Sequence, residues 1–414
     1  MVPRGLSVRL ALAALLACPA LPGARAQETP SADSALLARA RVLARELILV
    51  DTHIDLPSRL VSGSVNVAER TSKGDFDYVR AREGGLDAAF MSIYVSSSLE
   101  GSPKAGEAAD RQIQAVGDLV RRWPDRFALV TSPAQVRKGA GKGRILLAMG
   151  MENGAPILGD LRRIAFYHRQ GIRYITLAHA KSNHLADASY DTSRKWNGLS
   201  PFGREAVREM NRTGIMVDVS HLSDSAFYQV LRHSAAPVIA SHSSCRAFTP
   251  GFERNMDDGM IRALAAGGGV IQINFGSSFI DDAFRLAEES REKEIDRHLR
   301  DQNLSKGSDE ARRYARQYRR DHPAKRPGVA QVAHHIDHAV RLAGVDHVGL
   351  GSDFDGVGDT LPTGLRDVAD YPNLIAELLR LGYTRDDLTK ICGGNLLRVW
   401  EEVERTAATL KGKP

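Results

Sequence analysis

One segment of the chain carries two potential metal ligands at the end of an apolar run. Residues 48–57 read Ile-Leu-Val-Asp-Thr-His-Ile-Asp-Leu-Pro, so that His53 and Asp55 stand two positions apart. Side chains at positions i and i+2 of a strand project from the same face, which points this imidazole and this carboxylate in one direction. A single His-x-Asp pair is a weak signal. It predicts half of a metal site whose other ligands must come from elsewhere in the chain.

The chain repeats this arrangement of an apolar run followed by a polar residue. Eight runs are typical of buried strands, at 48–55, 86–94, 145–152, 174–179, 215–221, 237–242, 270–275 and 347–353. Helical stretches that end before a glycine lie between several of them, for example at 160–170, 202–213 and 329–343. Strands that alternate with helices indicate a parallel sheet, and eight such units predict an α/β fold, the (β/α)8 TIM barrel.

Seven of the eight runs end in a residue that can bind a metal or form polar contacts. These residues are Asp55, Glu152, His179, His221, His242, Asn274 and Asp353. The carboxyl ends of barrel strands meet at one face, where the active sites of this fold lie. A lone histidine at a strand end is more often a buried structural residue. With His53 counted as well, four histidines and three carboxylates near these strand ends predict a shared site.

Within this set, three imidazoles and two carboxylates suit two metal ions that share a bridging carboxylate. The expected ligands are His53, Asp55, Glu152, His221 and His242, with Glu152 as the bridge. Zinc prefers imidazole together with carboxylate, while manganese, iron and cobalt remain open. Two such ions about 3.5 Å apart can hold a water molecule, lower its pKa to near 7 and present hydroxide to a carbonyl carbon.

Hydrolysis also requires a proton carrier and a group that polarises the carbonyl. Asp353 ends the last predicted strand, and we expect it to take a proton from the attacking water and return it to the leaving nitrogen. Asp355 is the second candidate, and a loop-capping aspartate is the structural alternative for Asp353. His179 has no ligand-type residue at i+2, so we expect it to polarise the substrate carbonyl rather than bind metal.

Two polar segments interrupt the barrel pattern. Residues 180–201 predict a loop over the rim of the site. Residues 285–325 are rich in Arg, Lys, Glu and Asp and predict a charged helical insertion between strands seven and eight. A solvated insertion is the preferred interpretation, and contact with nucleic acid or an acidic surface is the alternative. A predicted helix also carries three clustered histidines, for which we expect a surface role: His334, His335 and His338.

Residues 1–26 are typical of a cleaved export signal. Arg4 and Arg9 precede an apolar run at 10–21, and Ala24-Arg25-Ala26 has small residues at the spacing that a signal peptidase recognises. The apolar run is shorter than the roughly 20 residues that cross a bilayer, so we expect no membrane span. The pattern predicts a periplasmic or secreted protein.

The remaining chain, residues 27–414, is expected to form a single catalytic barrel domain. Loss of the signal removes three arginines and no acidic residue, so the formal charge falls from +6 to +3, which does not indicate a nucleic-acid partner. A lipid anchor at Cys18 is an alternative fate of the N-terminus. Cys245 and Cys392 are expected either to pair or to remain as two buried thiols.

Seven short motifs occur in order over nearly the whole mature chain. They are Val50-Asp51-Thr52-His53-Ile54-Asp55, Met151-Glu152-Asn153-Gly154, Leu177-Ala178-His179, Asp218-Val219-Ser220-His221, Ser241-His242-Ser243-Ser244, Arg254-Asn255 and Gly351-Ser352-Asp353-Phe354-Asp355-Gly356. Together they resemble the membrane dipeptidases, also called renal dipeptidases. The resemblance implies a barrel of the amidohydrolase type, two Zn²⁺ ions and a dipeptide substrate.

The resemblance also implies a role for each site residue. His53, Asp55 and Glu152 would hold one zinc ion, and Glu152, His221 and His242 would hold the other. His179 would contact the substrate carbonyl and Asp353 would transfer the proton. Arg254, which the sequence pattern alone leaves as a surface residue, would bind the C-terminal carboxylate of the dipeptide through paired hydrogen bonds.

We therefore expect an exported zinc dipeptidase that cleaves the peptide bond of L-Xaa-L-Xaa dipeptides, with L-Xaa-D-Xaa dipeptides as further candidates. A homodimer is one candidate assembly. The first alternative is an amidohydrolase that acts on N-acyl-amino acids. The second is a surface protein that binds metal without turnover, although the complete ligand set argues against it.

Overall fold

A parallel sheet forms the centre of the computed structural model, which describes Met1 and residues 32–63 and 65–412. This part of the chain contains nine strands: β1 Val50–Ile54, β2 Ala88–Tyr94, β3 Phe127–Leu129, β4 Ile145–Glu152, β5 Ile172–Thr176, β6 Met216–Asp218, β7 Ile239–Ser243, β8 Val270–Ile273 and β9 Val348–Leu350. Eight strands follow one another in the order β1-β2-β4-β5-β6-β7-β8-β9, and β3 pairs with β4 beside this path. All pairings are parallel.

The two ends of this sheet meet beside the predicted site. Ile54 forms a parallel bridge with Phe354, and the Asp55 amide donates to the Phe354 carbonyl at 2.9 Å. The Asp353 amide donates to the His53 carbonyl at 3.0 Å. The sheet is therefore a nearly closed barrel, and the predicted (β/α)8 fold is confirmed.

Sixteen α-helices surround the barrel in the described residues. Their bounds are α1 Ala32–Glu46, α2 Leu56–Ser62, α3 Tyr78–Gly84, α4 Lys104–Arg122, α5 Pro133–Gly139, α6 Arg162–Arg169, α7 Pro201–Thr213, α8 Asp224–His233, α9 Asp258–Ala266, α10 Ser277–Ile280, α11 Asp282–Asp301, α12 Asp309–Asp321, α13 Val329–Ala343, α14 Tyr371–Arg380, α15 Arg385–Thr389 and α16 Asn395–Lys411. Local chemistry sets several ends. The Ser200 hydroxyl accepts from the Gly203 amide at the start of α7, and Gly214 ends that helix with a left-handed φ of 90°.

Apolar side chains fill the barrel and close its amino end. Phe90, Leu146 and Tyr174 belong to one buried cluster with residues of α16. The indole of Trp400 in α16 lies 5.2 Å from the Phe90 ring, which lies 5.5 Å from the Tyr174 ring. Since α16 packs against the strands at this end, the carboxyl ends of the strands remain for the site.

The charged insertion between the last two barrel strands is present as predicted. It consists mainly of α11 and α12, which enclose a small core of Ile295, Leu299 and Ala311. The ring of His298 stacks on Tyr314 at 3.6 Å. The insertion is thus a helical pair with its own apolar contacts.

The structure adds to the sequence-based expectations in three places. The short strand β3 was not predicted, because three residues carry too little periodicity for a pattern. His335 is wholly buried, so the surface role expected for it was wrong. Its Nδ1 accepts from the Cys245 amide at 3.1 Å, and its Nε2 lies 3.0 Å from the Ile280 carbonyl. Cys245 and Cys392 are both buried free thiols.

The predicted export signal lies almost entirely outside the described residues, as does Cys18. Within the described part of the chain, none of the helices has both the length and the apolar character of a membrane-spanning segment.

Candidate metal centre and active site

Glu152 stands at the centre of the ligand cluster and uses its two oxygens in different directions. Its Oε2 lies 3.4 Å from His53 Nε2, which lies 3.5 Å from Asp55 Oδ2. Its Oε1 lies 3.2 Å from His221 Nε2 and 3.3 Å from His242 Nε2. The carboxylate therefore separates two groups of nitrogen and oxygen atoms, each contributed by different strand ends.

These separations fit a metal centre. Zn–N bonds of 2.0–2.1 Å in a tetrahedral site place neighbouring ligand atoms about 3.3 Å apart. The four contacts between Glu152, His53, Asp55, His221 and His242 lie between 3.2 and 3.5 Å. Among the described residues, buried His53 Nε2 has no hydrogen-bond partner, and buried polar atoms are rarely left unpaired. The donor set and the unpaired nitrogen both suit a bound metal ion.

Neighbouring side chains fix which ring nitrogen of His53 is free. The Tyr174 hydroxyl donates to the Thr52 carbonyl at 3.1 Å and lies 2.8 Å from His53 Nδ1. Because the hydroxyl proton is already used, His53 Nδ1 must donate to the Tyr174 oxygen. This leaves the Nε2 lone pair directed at Glu152 and Asp55, as a ligating histidine requires.

His242 is oriented in the same way by a carboxylate that acts through a serine. The Ser241 hydroxyl donates to Asp218 Oδ2 at 2.6 Å and lies 2.7 Å from His242 Nδ1. His242 Nδ1 therefore donates to the serine oxygen, which leaves a lone pair on Nε2, and this nitrogen lies 2.8 Å from His221 Nε2. Burial lowers the pKa of His242 well below its usual value, and the neutral imidazole is the form that binds metal.

Sequence reasoning gave no role to Tyr174 or Asp218. The sequence contained a signal for Tyr174, because Gly150 of β4 lies opposite Tyr174 of β5 in the sheet. A Cβ at Gly150 would lie 2.0 Å from the Tyr174 ring, so glycine is needed for the ring to cross beneath the site. Asp218 carried a weaker signal, as a carboxylate directly after the apolar residues 215–217.

Asp353 lies on the Asp55 side of the cluster. Its Oδ2 accepts from Asn274 Nδ2 at 2.8 Å. Burial raises the pKa of Asp353 well above its usual value, and the charges of Asp55 and Glu152 raise it further. A Cβ at Gly356 would lie 2.1 Å from Asp353 Oδ1 and 2.3 Å from Asp55 Oδ2, so glycine leaves space between these carboxyl groups.

The second candidate for the proton carrier, Asp355, forms contacts with residues outside the ligand cluster. Its carboxylate accepts from Arg59 Nη1 at 2.6 and 2.7 Å and from the Asp75 amide at 2.6 Å. These contacts hold the loop after β9 against the segment before α3. Asp353 is therefore the better placed of the two for proton transfer.

His179 is also close to the cluster, with Nε2 3.4 Å from Glu152 Oε1. By this distance alone, His179 would also be a potential metal ligand. Its side chain is 20% exposed, whereas that of His242 is 1% exposed. His179 faces a cavity of about 370 Å³ that Asp55, Tyr94, Glu152, His221 and Asp353 also line. This position suits contact with a substrate.

Arg254 is buried beside the cluster, not on the surface as the pattern alone suggested. It is 2% exposed and donates to the Ser243 hydroxyl at 3.0 Å and to the His242 carbonyl at 2.8 Å. Its Nη2 also lies 3.0 Å from His221 Nε2. It forms no ion pair with any carboxylate in the described ranges. A buried cation without an anion is unfavourable, so this guanidinium is prepared for an anionic ligand.

The barrel and its buried ligand cluster define a metal-dependent hydrolase of the TIM-barrel type. The family model for membrane dipeptidases, peptidase family M19, matches residues 37–414. The chain belongs to this family. The predicted family and enzyme class, a metallopeptidase, are confirmed.

Curated and solved relatives agree with this placement. A dipeptidase of Claviceps purpurea is 33% identical over 347 residues, which is 82% of this chain and 72% of that protein. The probable dipeptidase PvdM of Pseudomonas aeruginosa is 26% identical with a TM-score of 0.77, covering 90% of this chain and 99% of that one. A metallopeptidase of Rhodobacter sphaeroides, solved with a phosphinate mimic of L-Ala-D-Ala, is 26% identical with a TM-score of 0.71, covering 86% and 99%.

Proposed function

We propose that this protein is an exported dipeptidase that hydrolyses the single peptide bond of L-Xaa-L-Xaa and L-Xaa-D-Xaa dipeptides with two zinc ions. The observation that carries the proposal is the arrangement of Glu152, whose two oxygens face two separate groups of ligands. A buried guanidinium that forms no ion pair in the described ranges, that of Arg254, lies beside the same cluster. Together they provide for a metal pair and for a substrate that carries a free carboxylate.

In this proposal His53, Asp55 and Glu152 hold one ion, and Glu152, His221 and His242 hold the other. When bound, the metal pair supplies Lewis-acid activation of water and of the scissile carbonyl. Tyr174 and Asp218 keep the ligating nitrogens free through the hydrogen bonds to His53 and, by way of Ser241, to His242.

Three further residues act on the substrate itself. Arg254 binds the C-terminal carboxylate with paired, charge-assisted hydrogen bonds, which requires a free carboxylate one residue beyond the scissile bond. His179 donates to the carbonyl oxygen as negative charge develops there. Asp353 accepts the proton of the attacking water and delivers it to the leaving nitrogen. Asn274 holds the Asp353 carboxyl group in position.

The relatives support a dipeptide substrate, and the dipeptide mimic bound by the Rhodobacter sphaeroides enzyme has a D-residue at its C-terminal position. Export is supported by the sequence of residues 1–26. Cleavage there leaves a mature enzyme of one catalytic domain in the periplasm or outside the cell, and processing at Cys18 would instead anchor it through lipid. Mass spectrometry of the mature N-terminus distinguishes these two products.

The experiment that tests the function compares three substrate series with purified enzyme: L-L dipeptides, L-D dipeptides and N-acetyl-amino acids. Each is measured before and after chelation and after zinc is restored. We expect hydrolysis of both dipeptide series, loss on chelation and recovery with zinc. Turnover of N-acetyl-amino acids alone would replace the proposal with the amidohydrolase alternative. No turnover with a full metal complement would favour a metal-binding surface protein.

A further inference from the structure

Three partly exposed aromatic rings form a continuous wall beside Arg254. The rings are those of Tyr190, Phe252 and Phe279, and we call them the aromatic wall. The guanidinium of Arg254 lies 5.3 Å from the centre of the Phe279 ring. The Phe279 and Phe252 rings are 6.0 Å apart, and the Phe252 and Tyr190 rings are 5.9 Å apart. Apolar surface therefore continues outward from the buried guanidinium.

The aromatic wall also reaches the ligand cluster. The Tyr190 ring lies 6.2 Å from the ring of His221. A bound molecule whose carboxylate is held by Arg254 and whose peptide bond lies at the cluster would thus have aromatic surface along the connecting atoms. The cavity over the ligand cluster is lined by polar residues such as Asp55, Ser58 and Asp353, so the aromatic wall and this cavity differ in chemistry.

Contacts between loops hold the aromatic wall in place. Tyr190 belongs to the rim segment 180–201, and Arg194 of that segment forms an ion pair with Glu253, the neighbour of Phe252. Arg194 also donates to the Ala188 carbonyl at 2.7 Å. These contacts join the segment that carries Tyr190 to the segment that carries Phe252, so the spacing of the two rings is fixed before a ligand binds.

The far side of the aromatic wall is supported by α11 and by a glycine. The guanidinium of Arg285 in α11 lies 5.3 Å from the centre of the Phe252 ring. A Cβ at Gly276 would lie 2.8 Å from both the Phe279 ring and the Val357 side chain, so any larger residue would displace Phe279. Phe252 and Phe279 are therefore held by these contacts, and the rings of Tyr190, Phe252 and Phe279 all remain partly exposed.

We propose that the aromatic wall binds the side chain of the C-terminal residue and makes the enzyme prefer dipeptides with an apolar or aromatic residue at that position. This inference rests on the proposed function, because it takes Arg254 as the ligand of the C-terminal carboxylate. The side chain of the C-terminal residue branches from the carbon that bears this carboxylate, so a carboxylate held by Arg254 brings that side chain near Phe279, whose ring centre is 5.3 Å from the guanidinium. Apolar surface on both partners is then removed from water, which favours binding.

The test is a set of kcat/KM measurements on wild type, Tyr190→Ala and Phe252→Ala. One substrate series varies the C-terminal residue as Ala-Gly, Ala-Ala, Ala-Leu and Ala-Phe, in both configurations where they exist. The other varies the N-terminal residue as Gly-Ala, Leu-Ala and Phe-Ala. Tyr228→Ala is the matched control, since Tyr228 is 37% exposed where Tyr190 is 42% exposed and contacts the Phe227 ring in α8.

In wild type we expect kcat/KM to rise from Ala-Gly to Ala-Phe. Phe252→Ala should reduce the ratio of kcat/KM for Ala-Phe to kcat/KM for Ala-Gly about tenfold, mostly through KM. Its metal content and its kcat/KM values for the N-terminal series should stay at the wild-type level. Tyr228→Ala should leave the ratio at its wild-type value.

Two different failures can be told apart. A wild-type enzyme that cleaves none of these dipeptides overturns the proposed function. If the enzyme is active but Tyr190→Ala and Phe252→Ala both keep the wild-type ratio of kcat/KM for Ala-Phe to that for Ala-Gly, only the proposal for the aromatic wall is overturned. If Phe252→Ala does not fold, Phe252→Leu and Tyr190→Ala decide the question with the same ratio.

Discussion

The carboxyl face of the barrel and the charged insertion contain the same types of residue but differ in burial. Glu152 and Arg254 are almost completely buried, and neither has an oppositely charged Lys, Arg, Asp or Glu partner in the described ranges. In the insertion, pairs such as Lys306 with Asp296 lie at the surface, where Lys306 is 75% exposed. A search for the active site by charge content alone would therefore select the insertion, because it is rich in charged residues. The candidate metal ligands lie instead on the barrel face.

The physical reason lies in solvation. Ion pairs at the surface contribute roughly 0–1 kcal/mol each, because water already stabilises the separate charges. Buried carboxylates and guanidinium groups lose that hydration and need partners in the protein or in a ligand. Matched substitutions in the two regions therefore test whether burial accounts for this difference.

The largest effect is expected for Glu152→Gln. The amide cannot supply two anionic oxygens to two groups of ligands, so we expect loss of bound metal together with activity, by about a thousandfold or more in kcat/KM. The matched variant is Glu292→Gln, which removes the carboxylate that pairs with Arg319 in the insertion. Metal analysis and kinetics on both variants check the prediction. Wild-type metal content in the Glu152→Gln enzyme would show that the Glu152 carboxylate does not bridge the metal ions.

Asp353→Asn should reduce kcat about 10²–10⁴-fold while metal content stays at the wild-type level, because the carboxyl group moves a proton without being a ligand. Its counterpart in the insertion is Asp296→Asn, for which we expect wild-type kinetics. Single-turnover measurements on metal-replete protein separate chemistry from binding. Near-normal rates in Asp353→Asn would assign proton transfer to another group.

Arg254→Ala should raise KM for dipeptides by an amount equivalent to roughly 2–5 kcal/mol, with both metals retained. Arg254→Lys should recover part of the affinity, because it keeps the charge but not the paired hydrogen bonds. Arg319→Ala is the equivalent change in the insertion. Equal KM values in Arg254→Ala and wild type would show that the carboxylate binds elsewhere.

A buried histidine outside the ligand cluster extends the comparison to stability. Burial lowers the pKa of His335 from 6.5 to about 4, and both ring nitrogens have partners. The unfolded imidazole therefore takes up a proton near pH 6.5 while the folded one stays neutral. Stability present above pH 6.5 is lost as the pH falls towards 4, by up to about 1.4 kcal/mol per pH unit.

Denaturant unfolding of wild type and His335→Gln at several pH values between 7 and 4.5 tests this prediction. We expect the stability advantage of wild type to shrink as the pH falls, with catalytic constants at pH 7 little changed. Parallel pH profiles for the two proteins would mean that His335 is not the group that titrates.

The smallest effects are expected in the insertion itself. Arg319→Ala, Asp296→Asn and Glu292→Gln should each change the free energy of unfolding by about 0.5 kcal/mol or less. Their kinetics should match wild type. Retention on immobilised DNA should be weak and should disappear at moderate salt. Tight, salt-resistant retention that the Arg319 variant loses would give the insertion a nucleic-acid function after all.

Much of the barrel could be predicted because its signals are local. Most apolar runs end at or close to a residue that faces the site, as at Glu152 and His242. His53 and Asp55 are so close in sequence that their ligand atoms lie 3.5 Å apart, although Asp55 follows the last residue of β1 and is the N-cap residue of α2. These features depend on geometry within a few residues of the chain.

Other features depend on contacts between distant parts of the chain. Arg254 follows no apolar run, and its burial is set by Ser243 and the His242 carbonyl. His335 lies next to Val332 and Ile336 on the buried face of α13, a signal that periodicity contained, but its partners are 90 and 55 positions away. Such partners cannot be identified before the strands are placed.

Anomalous diffraction at the zinc edge from crystals of the active enzyme measures whether Glu152 lies between two metal ions, as we propose. We expect two anomalous peaks per chain, one between His53, Asp55 and Glu152 and the other between Glu152, His221 and His242. One peak, or none, in crystals of fully active enzyme would rule out a metal pair at Glu152.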